Sequence, residues 1–134
     1  ENSDLTAKYG ELAARLFSQI VPALDKINMI RALETGLYSK RLGIAGTVDC
    51  VAEYEGKLSI IDFKTARRKW DEVNENYLVQ ATFYSIAWEE RTKEKVDQIV
   101  ILTTTETGEL HVHKDDPSKY IKRLEEMITD AKTN

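Results

Sequence analysis

A chain of 134 residues is long enough for one ordinary hydrophobic core, and its 42% hydrophobic, 31% charged composition is that of a single globular domain over 1–134. No apolar run approaches the ~20 residues that cross a bilayer and no secretory signal is visible, which excludes a helical membrane anchor in this sequence and leads us to expect an intracellular setting, cytoplasmic or mitochondrial. The net charge is −4, yet residues 28–70 carry eight Lys/Arg against five acids, so a basic middle lies between acidic ends and a polyanionic partner stays open.

In chain order, residues 4–27 read as an amphipathic helix. Leu12, Leu16, Ile20 and Leu24 recur at four-residue steps, Leu5 extends the face, and Ser3 or Asp4 is placed to cap it. Pro22 predicts a kink or a break near Val21. Segment 28–39 is β-prone, and Lys40 to Gly43 forms a polar turn. Strand 44–54 alternates, with Ile44, Val48, Cys50, Ala52 and Tyr54 on one side and Thr47, Asp49, Val51 and Glu53 on the other. Glu55-Gly56 signals a tight turn into strand 57–64, which makes 28–64 a three-stranded antiparallel meander.

After a polar connection over 66–74, a helix runs from about Glu75 to Arg91, with Tyr77, Ala81, Tyr84 and Trp88 on one stripe. Segment 96–104 reads as a buried strand, and Thr107-Gly108 turns into a short strand over 109–113. A last helix, Pro117 to about Lys132, carries Tyr120, Ile121, Leu124, Met127 and Ile128 to dock it on the sheet. The order α-β-β-β-α-β-β-α describes one mixed α+β domain.

The chemistry gathers at the second and third predicted strands. Asp62 and Lys64 are two residues apart at the end of an apolar strand and share a face. Hairpin pairing would bring Asp49 beside them. Two carboxylates and an ammonium at the end of a sheet can hold a divalent metal and activate water; a plain Asp–Lys ion pair on an exposed face satisfies the same spacing. Carboxylates within apolar strands must be paired, metal-bound or at the sheet margin. His111 and His113 put two imidazoles on one face of a late edge strand, which suits ordinary surface histidines better than a metal pair. The single cysteine, Cys50, excludes an internal disulfide and alternates toward the core as an inert thiol.

Gly46-Thr47-Val48-Asp49, Ile61-Asp62-Phe63-Lys64-Thr65 and Gln80-Ala81-Thr82-Phe83-Tyr84 follow one another in the order and spacing of a G-x-x-D, D-x-K, Q-x-x-x-Y pattern. In this the chain resembles the PD-(D/E)XK nuclease superfamily, and within it the RecB-like branch that includes mitochondrial genome maintenance and phage exonucleases. The resemblance implies a restriction-endonuclease-like core with a central mixed sheet flanked by helices. It implies Asp49 and Asp62 as ligands of Mg²⁺ or Mn²⁺, with the backbone carbonyl of Phe63 as another oxygen donor. Lys64 would orient the attacking water and stabilise charge developing on the phosphate.

Gln80 and Tyr84, one turn apart on a helix face, would lie beside the site or serve the core. Glu34 falls where related nucleases often carry a glutamate, its direction depending on hairpin register. Arg67, Arg68, Lys69 and Trp70 could grip phosphates and stack a base, or form a solvated loop. The activity implied is hydrolysis of DNA phosphodiesters by an exonuclease acting on single strands or DNA ends, in repair, replication or phage DNA metabolism. The alternative is a catalytically incomplete nuclease-fold module that binds DNA. The helix that usually carries a histidine ligand in RecB-like members would fall before Glu1, so an upstream helical segment is expected to be missing; Glu11 could approach the site from the first helix.

Overall fold

The structure, a computed structural model, describes residues 24–66 and 74–133. The helix predicted over 4–27 lies almost wholly outside the described residues. Five strands form one sheet in sequence order: β1 (Ile27–Ser39), β2 (Ile44–Tyr54), β3 (Lys57–Ala66), β4 (Gln98–Thr105) and β5 (Leu110–Asp115). Helix α1 (Glu75–Thr92) joins β3 to β4, and a 3₁₀ turn (Pro117–Tyr120) leads from β5 into α2 (Ile121–Thr133). The described order is therefore βββαββα, an α+β fold.

Local chemistry sets the connections. Glu55 and Gly56 both take positive φ (52° and 83°), the conformation of a two-residue hairpin turn whose twist matches the flanking strands. Gly43 (φ 71°) closes the wider β1–β2 turn by donating its N–H to the Ser39 carbonyl at 2.8 Å. Asn74 caps α1 by accepting the Asn76 N–H at 2.8 Å, and Lys93 ends it in the left-handed conformation with its N–H on the Glu89 carbonyl. A helix of this length between β3 and β4 allows those two strands to run parallel, while all other neighbours are antiparallel.

The sheet separates two apolar clusters. Val48, Val51, Leu58, Ile60, Ile99 and Ile101 pack under α1, against Leu78, Val79, Ala81, Tyr84 and Trp88. Cys50, Ala52, Tyr54, Ile61, Val100 and Leu102 form the cluster on the other face. All eight residues of β4 are buried, the threonines 103–105 included.

Two expectations change here. The β2 alternation is not continuous: Ile44 and Val48 face α1, but Cys50, Ala52 and Tyr54 face away, and Val51 takes the α1 side. The face switches around Asp49, where the β1–β2 ladder passes from Leu33↔Cys50 to Thr35↔Val48 and Glu34 adopts a φ of 44°. Both strands advance two residues at that step, so the register is kept while the Glu34–Asp49 rung is missing; the ladder's register shift lies earlier, between Asn28 and Ala32. The final helix also docks differently. Leu124 is buried, with Met127 and Ile128 half-buried, but this stripe packs chiefly against α1 rather than on the sheet.

Candidate active site

β2 and β3 pair from Tyr54↔Lys57 to Cys50↔Ile61, and there the backbone ladder stops. In place of the next rung, the Asp49 carboxylate accepts the Phe63 N–H at 2.9 Å. In an extended strand one residue's N–H and C=O project toward the same neighbour. The Phe63 carbonyl is thereby directed to the same edge as Asp49, while its exposed ring stands on the opposite face from Asp62 and Lys64.

Asp62 follows the apolar pair Ile60-Ile61 and is only 6% exposed. Lys64 Nζ lies 3.1 Å from Asp62 Oδ2 and 4.4 Å from the centre of the Tyr77 ring, so a carboxylate and an aromatic face hold the ammonium in place. The Lys64 contact does not meet hydrogen-bond geometry, and Asp62 Oδ2 remains a buried oxygen with no hydrogen-bond partner. Burial is the main cause that pushes the Asp62 carboxyl up to about 6; a hydrogen bond shared with Asp49 adds to it, and Lys64 opposes it. Asp62 thus stands beside Asp49 as a carboxylate whose ionisation is disfavoured without a cation. A buried oxygen with no hydrogen bond, met only by the Lys64 ammonium and lying beside a second carboxylate, fits a hard divalent cation held by oxygen donors.

Tyr84 is nearly buried behind this pair. Its phenol is held above the ordinary range, first by burial and then by the charges of Asp62 and Asp49. Its ring explains the glycine of the G-x-x-D segment: a Cβ at Gly46 would come within 3.2 Å of Tyr84 Cε1 and Oη and 3.4 Å of Phe83 Cε2. Gln80, one turn earlier, is exposed and lines, with Gly46 and Tyr84, a largely apolar groove of about 560 Å³.

Glu34 is exposed and sits at the interrupted step of the β1–β2 ladder. Among the described residues, no third His, Cys, Asp or Glu joins Asp49 and Asp62. Arg67, Arg68, Lys69, Trp70 and Glu11 lie outside the described residues. Cys50 is buried, its thiol pushed up to about 11 by burial and then by Asp49. His113 lies 3.2 Å from Asp115, and His111 lies 3.8 Å from Glu109. Tyr77, the second partner of Lys64, carried no motif, although it stands on the same helical stripe as Tyr84 and two turns before it.

A sequence profile of the PD-(D/E)XK nuclease superfamily matches residues 4–133. The human mitochondrial genome maintenance exonuclease 1 is 44% identical over 45 residues, 34% of this chain and 13% of that protein. Its Xenopus tropicalis counterpart is 39% identical over 51 residues, 38% of this chain and 15% of that protein. A solved structure from Eubacterium rectale, named as a candidate exonuclease, superimposes on 89% of this chain with a TM-score of 0.53 at 13% identity, a likeness of fold. The chain spans 48% of that protein, under half its length.

Proposed function

Because the chain belongs to the PD-(D/E)XK nuclease superfamily, we propose that it is a divalent-metal-dependent deoxyribonuclease domain acting as an exonuclease on single strands or DNA ends. The observation that carries this reading is the break between β2 and β3, which brings Asp49, Asp62 and the Phe63 carbonyl edge together with Lys64 alongside. The exonuclease names of the relatives support the mode of attack.

Asp49 and Asp62, with the Phe63 carbonyl, would hold Mg²⁺ or Mn²⁺. Such a cation, when bound, acidifies a water and polarises a phosphoryl oxygen. The protein's own groups do the rest. Asp49 keeps its position by accepting the Phe63 N–H. Lys64, restrained between Asp62 and Tyr77, presents its ammonium where negative charge develops on the phosphate. The Tyr84 ring against Gly46 fixes the distance between α1 and β2, so the pair is set by packed elements rather than by a loop.

Asp62→Ala and Lys64→Ala should each abolish Mg²⁺-dependent degradation of end-labelled single-stranded DNA, with circular dichroism confirming that both remain folded. Full activity in both variants overturns the proposal. Titration calorimetry with Mn²⁺ separates the nuclease from a module that only binds DNA: a working centre binds the ion and loses it in Asp49→Ala.

A further inference from the structure

Four buried side-chain polar atoms among the described residues lack a hydrogen-bond partner: Tyr54 Oη, Asp62 Oδ2, Thr103 Oγ1 and His111 Nε2. Three of them share one place on the sheet. Lys64 pairs with Thr103 across β3–β4, and Thr103 pairs with His111 across β4–β5. Lys64, Thr103 and His111 therefore form a row over three strands, spaced by ~4.8 Å per strand. Opposed residues in a sheet share a face. That face is the α1 side, because Ile60 and Ile101, two residues before Asp62 and Thr103, pack in the cluster under α1. The row thus runs next to Asp62.

Native interiors leave few polar groups orphaned, because each forfeits its hydrogen bonds to water. Thr103 is 3% exposed, and a valine would fill the same volume without a stranded hydroxyl. Its same-face neighbours on β4 are Ile101, which is apolar, and Thr105, whose hydroxyl, unlike that of Thr103, has partners in Thr107 and the Glu109 carbonyl. His111 Nε2 is too far from Glu109, at 3.8 Å, for a hydrogen bond. The side chains of Lys64 and His111 at the two ends of the row are 25% and 31% exposed, although the His111 Nε2 atom itself is buried. An ammonium, a hydroxyl and an imidazole can each donate a hydrogen bond, and in line they match the oxygens of an anion.

We propose that Lys64, Thr103 and His111 form a phosphate-binding row of the active centre, which takes a phosphate of the substrate strand and steers the strand across β4 and β5. This rests on the nuclease reading above. Thr103 and His111 are substrate-binding residues in it, distinct from the carboxylate pair.

The test uses fluorescence anisotropy with labelled oligodeoxythymidylate in EDTA, so that binding is read without turnover, together with thermal melting. Thr103→Val and His111→Leu should each weaken binding by about threefold to tenfold, the range of one lost hydrogen bond. Thr103→Val should melt at the wild-type temperature or above it, because it removes an orphaned hydroxyl, and Thr103→Ser should retain affinity. Wild-type affinity in both variants overturns the row, as does a Thr103→Val protein that loses affinity only together with stability. Oligonucleotides with a 5′-phosphate or a 5′-hydroxyl distinguish a terminal phosphate from an internal diester: loss confined to the first assigns the terminal group, and equal loss assigns the diester. Should wild-type protein neither bind nor cleave DNA, the nuclease reading fails. The row is then judged by NMR with inorganic phosphate, which must shift the His111 ring signals in wild type and not in Thr103→Val.

Discussion

At the scale of single residues, Asp62 carries a conflict between folding and chemistry. Its carboxyl is pushed up to about 6 from an ordinary 3.8, mainly by burial and by Asp49. Between about pH 4 and 6 the metal-free native state therefore holds more protons than the unfolded chain, and stability falls as pH rises through that window. Above it, the ionised carboxylate costs up to about 3 kcal/mol. Asp62→Asn removes that cost. In EDTA at pH 7.5 the variant should be more stable than wild type in urea unfolding, by up to about 3 kcal/mol, and near pH 4 the advantage should vanish. A variant less stable than wild type at pH 7.5 would show that burial and Asp49 do not strain this group. Divalent cation should reverse the order, because it stabilises only a protein that retains the carboxylate.

At the scale of elements, the site depends on how closely α1 approaches β2. Gly46 permits that approach, since any Cβ there presses on the ring of Tyr84 at 3.2 Å. Gly46→Ala should cost about 1–3 kcal/mol in urea unfolding, the usual penalty of overpacking. Adding Tyr84→Leu should recover part of it, so the double variant is more stable than the sum of the single losses. Strict additivity would mean that the two residues do not press on each other.

This coupling also marks what the sequence could disclose. The strands, the Glu55-Gly56 turn and α1 were legible because period-two alternation, turn residues and helical stripes are local signals. Asp62 and Lys64 share a face by strand geometry alone. The face switch at Asp49 was not legible: it arises where Glu34 turns left-handed and the Asp49 carboxylate replaces a backbone rung to Phe63. Thr103 gave no sign either, since its meaning comes from lying between Lys64 and His111 in strands distant in sequence. The stripe of α2 was visible, but an apolar stripe does not say whether a sheet or another helix will cover it, and here α1 does.

At the scale of the whole molecule, the proposed DNA substrate asks an acidic protein to gather its cations on one side. The basic surplus of residues 28–70 runs through Lys64 at the site into Arg67, Arg68 and Lys69 directly after β3. If those three cations contact the strand, each displaces condensed counterions, and the slope of log affinity against log salt should flatten by about two when all three are changed to alanine. Trp70→Ala acts through a base rather than a phosphate. It should weaken binding by about 1–3 kcal/mol at every salt concentration and leave the slope alone. Lys122→Ala on α2 serves as the control, a cation removed elsewhere on the molecule, with no change in slope. Anisotropy titrations of single-stranded DNA over a salt series measure all three. An unchanged slope in the triple variant would assign the segment to solvent and leave the strand to the row across β3, β4 and β5.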